Sequence, residues 1–335
     1  MLGKLIISMV CHDAVSIYEY AMLQHRFAKK HRDYLVELMC KTYDAIQIYF
    51  FARDVKGLST ENIDDLTRAI CKTNNAKRIY LFAKNIKNLS EENLNDLTKA
   101  ICRTEDAKDI CLFLKSVNRL TLSNVDQLIK TISKPSILKH LSQTDLDDLI
   151  QEFCETKDST QIYFLSKGFP NLTKGNLDDL TTSICEKGNV SCIYLFAKDI
   201  NHLSKDNLDD LTQAICNQKD MYFIYSFAKD VKGLSKDNLN DLTQTICEIG
   251  NINFIYQFAK NVPHLSQKNK TTIREYILNS GNMEVICKYA INIDTSVIFE
   301  KFKSVEKFLI YVNTELSEED SKDINEKVLQ KSYKK

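Results

Sequence analysis

The feature that most constrains this chain is an internal repeat with a period of 31 residues. Two neighbouring copies, 52 residues apart at Ile110 and Ile162, enclose a shortened copy marked by Ile137. A repeat of this length holds one supersecondary unit, and such units must stack to bury their apolar faces. Isoleucines in the same register mark ten copies: Ile17, Ile48, Ile79, Ile110, Ile137, Ile162, Ile193, Ile224, Ile255 and Ile286.

Each copy has the pattern of two helices. With each Ile counted as position 1, the copy at Ile79 begins IYLFAKNIKNLSEENLNDLTKAIC. Position 12 is Ser or Thr, and position 28 is Asn or Asp, in eight copies each. Both sets are residue types that cap helix N-termini. Apolar residues at positions 29, 1, 2, 4, 5 and 8 predict a first helix, helix A, and those at positions 16, 19, 20 or 22, and 23 predict helix B.

This pattern predicts an all-α fold, an α-solenoid of the right-handed type with about ten two-helix repeats. Composition agrees, because 8 Gly and 3 Pro in 335 residues are too few for the turns of a β-sandwich or barrel. The array resembles the superfamily of α-helical-hairpin repeats that includes tetratricopeptide and HEAT proteins, although its period is shorter than the ~34 residues of the former. The resemblance implies a fold and a tendency to bind proteins, peptides or nucleic acids.

The domain organisation follows from the repeat. We expect a single repeat domain over residues 1–335, with an N-terminal capping helix at 1–16 and helical hairpins at 17–285. At residues 286–335 we expect degenerate C-terminal capping helices, whose outer faces have no further copy to pack on. Near residues 133–145, around Pro135, two consecutive copies lack residues, and we expect a bend there.

Two charged positions are the candidate binding residues. A basic side chain can follow a phosphate backbone, and an acidic one can hold a basic peptide segment. A structural explanation competes, because each charge also suits the dipole of its own helix. The basic ladder at position 6 is Arg53, Lys84, Lys115, Lys167, Lys198, Lys229 and Lys260. The acidic ladder at position 18 is Asp65, Asp96, Asp148, Asp179, Asp210 and Asp241.

Two other recurring positions have simpler explanations. Position 2 is Tyr in seven copies, which would suit base stacking, but Cys111, Leu138 and Cys287 replace it elsewhere, so packing is the better interpretation. Position 15 is Asn in seven copies, three residues after the helix B cap, and we expect it to help cap that helix.

The cysteines predict neither disulfides nor a metal site. Equivalent residues on helices ~8–10 Å apart exceed the ~7 Å Cα separation that a disulfide allows. No C-x2-C pair occurs, and a nucleophilic pair of Cys11 and His12 is disfavoured because neighbours on a helix point apart. We expect reduced thiols in the core and a cytoplasmic location. Seven cysteines share position 24: Cys40, Cys71, Cys102, Cys154, Cys185, Cys216 and Cys247.

The expected function is a non-catalytic protein-binding scaffold, adaptor or inhibitor, with another protein or peptide as partner and no cofactor. Nucleotide-binding and hydrolase motifs such as G-x-x-x-x-G-K-[ST] and G-x-S-x-G do not occur. The alternative is a modular RNA- or DNA-binding protein that contacts phosphates through the basic ladder. A net charge of zero disfavours that alternative. We expect no membrane partner, because no apolar segment approaches the ~18 residues needed to span a bilayer.

Overall fold

The computed structural model describes residues 13–23 and 28–332 of the chain. All regular elements in these residues are helices, which confirms the all-α class. Residues 1–12 of the expected capping helix, with Cys11 and His12, lie outside the described residues.

Helices of two lengths alternate along the chain. The A helices are α1 (Ala14–Leu23), α3 (Ala45–Asp54), α5 (Ala76–Asn85), α7 (Ala107–Ser116), α9 (Pro135–Leu138), α11 (Ser159–Gly168), α13 (Val190–Asp199), α15 (Met221–Asp230), α17 (Ile252–Asn261) and α19 (Met283–Asn292). The B helices are α2 (Lys29–Thr42), α4 (Thr60–Lys72), α6 (Glu91–Thr104), α8 (Leu122–Ile132), α10 (Gln143–Thr156), α12 (Lys174–Lys187), α14 (Lys205–Gln218), α16 (Lys236–Ile249) and α18 (Gln267–Asn279). A π-helical turn (Ile298–Phe302), α20 (Val305–Glu315) and α21 (Glu318–Ser332) follow.

The helices group into two compact units, unit 1 at Met1–Leu172 and unit 2 at Thr173–Lys335. In unit 1, α3 packs on α5 and α5 on α7, while α4 packs on α6 and α6 on α8. In unit 2, α13, α15 and α17 pack in the same sequential way, as do α12, α14, α16 and α18. Each unit therefore has a layer of A helices beside a layer of B helices. The assignment of one domain to residues 1–335 stays a prediction.

The core of each unit lies between these layers. In the copy at Ile79, the side chains of Ile79, Phe82, Leu97 and Ile101 are fully buried. They occupy positions 1, 4, 19 and 23, which the apolar pattern assigned to the inner faces of both helices. Full burial of one such side chain contributes about 1.5–3 kcal/mol, so stacking of successive copies is the main source of stability.

Both predicted N-caps occur in the structure. In helix B of the copy at Ile79, Ser90 Oγ accepts a hydrogen bond from the Asn93 N–H, and Asn93 Oδ1 accepts one from the Ser90 N–H, each at 3.1 Å. This reciprocal pair is a capping box, which satisfies two backbone donors at the helix start. The same box forms at Asn62, Asn124, Asn176, Asn207 and Asn238. At helix A, the position 28 side chain accepts from the backbone, as Asn75 does from Arg78.

The position 15 asparagine also joins neighbouring copies, which the sequence reasoning missed. Asn93 Nδ2 donates to Asp64 Oδ1 of the preceding helix B at 3.0 Å. We call this contact between position 15 and position 17 of the preceding copy the Asn bridge. It recurs at 2.7–3.1 Å in Asn62–Asp33, Asn124–Asn95, Asn207–Asp178 and Asn238–Asp209. These asparagines are at most 5% exposed, while the residues that accept their hydrogen bonds are half-buried, so each bridge lies at the edge of the core.

The last Asn bridge is missing. Asn269 Nδ2 and Asn240 Oδ1 occupy the equivalent positions, but both atoms are buried and have no hydrogen-bond partner among the described residues. Asn269 accepts no capping bond from Ser266 either, although the Asn269 N–H still donates to Ser266 Oγ at 3.1 Å. An unpaired buried amide costs about 1–3 kcal/mol, so this junction is weaker than those before it.

The predicted irregularity lies at α9, which has four residues where the other A helices have ten. Across it, the A helix α7 contacts the B helix α10, and the B helix α8 contacts the A helix α11. The contact of α8 with α11 requires a glycine, because a Cβ at Gly168 would collide with Cγ2 of Ile129 and lie 3.3 Å from Ser133 Oγ. Whether the chain bends there stays a prediction.

Replacing Gly168 by Ala should therefore destabilise unit 1 by about 1–3 kcal/mol, because Ile129 is branched and buried and cannot move aside cheaply. Urea-induced unfolding followed by circular dichroism measures the change. Gly175→Ala is the matched control, since the nearest neighbour of its Cβ would be 3.9 Å away. We expect that control to be neutral or stabilising by about 0.5–1 kcal/mol. Equal destabilisation by both variants would contradict the assignment of close packing to Gly168.

Replacing Asn93 by Ala should remove the capping bond to Ser90 and the Asn bridge to Asp64 together. We expect a loss of about 1–3 kcal/mol in the free energy of unfolding, measured by urea titration. Asn118→Ala, at an exposed turn residue of the same unit, should change the free energy by less than about 0.5 kcal/mol. If Asn93→Ala costs no more than Asn118→Ala, the capping bond and the Asn bridge contribute nothing measurable to stability.

Candidate interaction surfaces

The basic ladder lies on the outward side of the A helices, against tyrosine rings of the same helices. Lys84 Nζ lies 3.1 Å from Tyr80 OH and 5.6 Å from the centre of the Tyr80 ring. The same ring contact, at 5.3–5.9 Å, occurs at Lys167, Lys198, Lys229 and Lys260. Arg53 lies 5.3 Å from the Tyr49 ring. These cation–π contacts hold most of the predicted basic residues in place while leaving their charges at the surface.

Lys115 differs from the rest of the basic ladder because Cys111 replaces the tyrosine on its helix. Its ammonium group instead lies 3.8 Å from a carboxylate oxygen of Asp148. This ion pair is the one place in described unit 1 where the two ladders meet. The basic ladder lies on A helices and the acidic ladder on B helices. Apart from this ion pair, the two sets in that unit are therefore not one site.

The position 2 tyrosines connect successive copies through their hydroxyl groups. Tyr194 OH donates to Asp230 Oδ2 at 2.6 Å, and Asn85 Nδ2 donates to Tyr49 OH at 3.0 Å. Burial raises the pKa of Tyr194, and the hydrogen bond to Asp230 raises it further. Equivalent bonds join Tyr18 to Asp54, Asn261 to Tyr225 and Asn292 to Tyr256. The sequence predicted packing at position 2, but the polar residue at position 7 of the next copy was the signal for these bonds.

The acidic ladder is mostly exposed along the B helices. Asp65 pairs with Arg68 of its own helix, and Asp241 accepts from Gln213 Nε2 of the preceding copy at 2.7 Å. Asp179 and Asp210 occupy the same outward position on α12 and α14, and Asp96 is half-buried on α6. The ladder is therefore mostly exposed to solvent, with partners on its own helix or on a neighbouring one.

None of the ten described cysteines forms a disulfide. Burial raises the pKa of Cys71 to about 12, and the charge of Asp96 adds to the shift. Burial likewise raises the pKa of Cys185 to about 12, assisted by Asp210. A thiol with so high a pKa remains protonated at neutral pH and is a poor nucleophile. The position 24 cysteines were expected in the core. Cys216 and Cys247 are buried there, while the other five are half-buried.

Two open grooves lie on the described surface. One, of about 490 Å³ in unit 1, lies between the turns of two successive copies and includes Arg53, Ser59 and Asn88. The other, of about 430 Å³ in unit 2, lies between α12 and α14 and includes Cys185, Glu186 and Asp210. No group of three or more metal-ligating side chains gathers in the described part of the chain.

Comparison with known proteins gives little further information. No family model matches this chain, and no curated protein matches it. Four chains of solved structures match, among them one from the computational design of self-assembling cyclic protein homooligomers. That chain is 16% identical, and the match covers 89% of this chain and 98% of the designed one with a TM-score of 0.12. Within residues 13–23 and 28–332, no helix has the length and apolar character needed to cross a membrane.

Charge reversal at the ladders should have small effects on stability. Lys229→Glu loses the contact with the Tyr225 ring, and Asp241→Lys loses the bond from Gln213, but both side chains are exposed. We expect each variant to lower the free energy of unfolding by less than about 1 kcal/mol in a urea titration. A much larger loss would mean that the ladders are a principal source of stability.

Proposed function

We propose that this protein is a non-catalytic scaffold, adaptor or inhibitor that binds another protein or peptide. In this proposal the helices form a right-handed α-solenoid of about ten repeats, with the partner on its outward faces. The observation that supports it most is a division of labour between positions. Polar residues shared by the copies bond to one another, whereas several outward residues differ in chemistry from copy to copy.

The shared positions are occupied by internal contacts. Asn93 caps helix α6 and bonds to Asp64 of the preceding copy, and Lys84 rests on Tyr80 of its own helix. The outward position 30 contrasts with them: it is Ile46, Lys77, Lys108 and Tyr222 in four copies, and all four are exposed. A constant framework with a variable surface is the arrangement by which helical repeats recognise protein partners.

Other features favour protein binding over the alternatives. The tyrosine rings that a nucleotide base would stack on already contact the cations of the basic ladder. The cysteine thiols with pKa values near 12 are poorly suited to nucleophilic catalysis. We also propose a cytoplasmic location, since the described cysteines form no disulfide and a reducing compartment keeps thiols reduced.

Affinity capture with the purified full chain tests this function. The chain is immobilised, and lysate from its native source is applied with and without nuclease at low and physiological salt. We expect a protein to be recovered from nuclease-treated lysate. Free chain added to the lysate should reduce that recovery, because it competes with the immobilised chain for the protein. Recovery that disappears after nuclease treatment would reject protein binding and support the nucleic-acid alternative.

A further inference from the structure

One outward face of unit 1 differs from the other A-helix faces in both charge and apolar character. Positions 30, 3 and 6 lie on one side of an A helix, because they are four and three residues apart. We call the side formed on α3, α5 and α7 the basic–apolar face. Its main residues are Phe50, Arg53, Lys77, Leu81, Lys84, Lys108 and Leu112, with Arg78 next to Lys77 at position 31.

The charge of this face is unusual for the chain. Helices α3, α5 and α7 contain six basic and two acidic residues, whereas α13, α15, α17 and α19 of unit 2 contain four basic and three acidic residues. The excess comes from Lys77, Arg78 and Lys108, which occupy the variable positions 30 and 31 rather than the shared ladder. Among the described residues, none of these three cations lies within ion-pair distance of a carboxylate. They therefore remain available to an anionic partner.

The acidic residues on these helices offset part of that charge and leave an excess of four basic residues, six against two. Asp54 is bound by Arg53 at 2.7 Å and accepts a hydrogen bond from Tyr18 at 2.9 Å. Burial raises the pKa of Asp109, while the charges of Lys77 and Lys108 oppose that shift. The net positive charge is thus concentrated on α5, which contains three basic residues and no acidic one.

A row of apolar side chains runs through the positive face. Phe50, Leu81 and Leu112 occupy position 3 of successive A helices and are half-buried. In unit 2 the same position is Leu195 in α13 but Ser226, Gln257 and Lys288 in the following helices, so a comparable row does not continue there. Aromatic residues and arginine, here Phe50 with Arg53 and Arg78, are enriched in protein interfaces, and Leu81 and Leu112 extend the apolar surface beside them.

The spacing of this row indicates the shape of the partner. Packed helices lie ~8–10 Å apart, and two turns of an α-helix, or seven residues, advance ~10.5 Å. An α-helix laid across α3, α5 and α7 therefore presents every seventh side chain to Phe50, Leu81 and Leu112 in turn. An extended segment has a similar spacing at every third residue, but it needs backbone partners that a surface of helices does not offer.

We propose, on the basis of the protein-binding function above, that the basic–apolar face binds an acidic amphipathic α-helix of a partner protein. The apolar side chains of that helix cover Phe50, Leu81 and Leu112. Its flanking carboxylates pair with Lys77, Arg78 and Lys108. This is the groove-binding mode of amphipathic helices, with charge complementarity determining orientation and specificity.

Protein fits this face better than nucleic acid. The guanidinium groups of Arg53 and Arg78 lie 4.7 and 5.6 Å from the centre of the Phe50 ring, so they cover part of that ring against a base and against a partner side chain alike. Leu81 and Leu112 offer nothing to a phosphate backbone, whereas they match the apolar stripe of an amphipathic helix.

A direct test uses a fluorescein-labelled peptide of about 22 residues with three leucines seven positions apart and glutamates beside them. Fluorescence anisotropy with the full chain measures its affinity. Three further probes are a scrambled peptide of the same composition, a version with lysine in place of glutamate, and single-stranded oligouridine. We expect the first peptide to bind at least about tenfold more tightly than each of the others.

Two protein variants with equal changes in charge locate the site. Lys77→Glu combined with Arg78→Glu and Lys108→Glu should weaken binding at least about tenfold. The control combines Lys205→Glu, Lys232→Glu and Lys236→Glu, which are exposed cations of unit 2, and should leave affinity within about twofold. Circular dichroism melting checks that both variants fold, and the peptide probes remain informative if one does not.

The proposal is overturned if the scrambled or lysine peptide binds as well, if oligouridine binds more tightly, or if the control variant weakens binding as much as the test variant. These outcomes differ from failure of the proposed function. If a protein captured from lysate is retained fully by the Lys77, Arg78 and Lys108 variant, protein binding stands and this face is not its site. If no protein is captured at all, the proposed function itself fails.

Discussion

The architecture depends on the pairing of each B helix with the next through the buried Asn bridge. One asparagine satisfies the backbone N–H at its own helix start and donates to a side chain of the preceding copy. Apolar contacts alone tolerate sliding of one helix over another, because they are not directional. A buried hydrogen bond does not tolerate it, since a shift would leave an unpaired amide. The bridge therefore sets the register in which the apolar positions interlock.

Most of the helical framework could be predicted from the sequence, because it depends on local chemistry repeated many times. Caps at positions 12 and 28 and the apolar positions of both helices are local signals, and both predicted caps occur. The contacts between copies were harder to predict. The bond between Tyr194 and Asp230, like the Asn bridge, joins residues far apart in sequence, and only the packing of the helices brings them together. Gly168 was overlooked for the same reason, since its neighbour Ile129 belongs to another copy.

The predicted site residues illustrate a limit of repeat-based reasoning. A residue that recurs in most copies is a strong signal, and the basic ladder was singled out for that reason. Several of its members contact tyrosine rings of their own helices, which is a structural use shared by those copies. The residues that make one face unlike another, such as Lys77 and Arg78, break the pattern and were not selected. In a repeat protein, departures from the consensus are the better indicators of a binding face.

The unpaired amides of Asn240 and Asn269 have a consequence for dynamics. In an array of stacked units, stability is a sum of the intrinsic stability of each unit and the coupling between neighbours. A junction with weaker coupling separates transiently while the stronger ones stay closed, and its backbone amides then exchange their hydrogens sooner. The segment from α18 onward is thus the expected starting point for partial opening of unit 2. Hydrogen exchange in that segment reports on the coupling between two copies, independently of any bound partner.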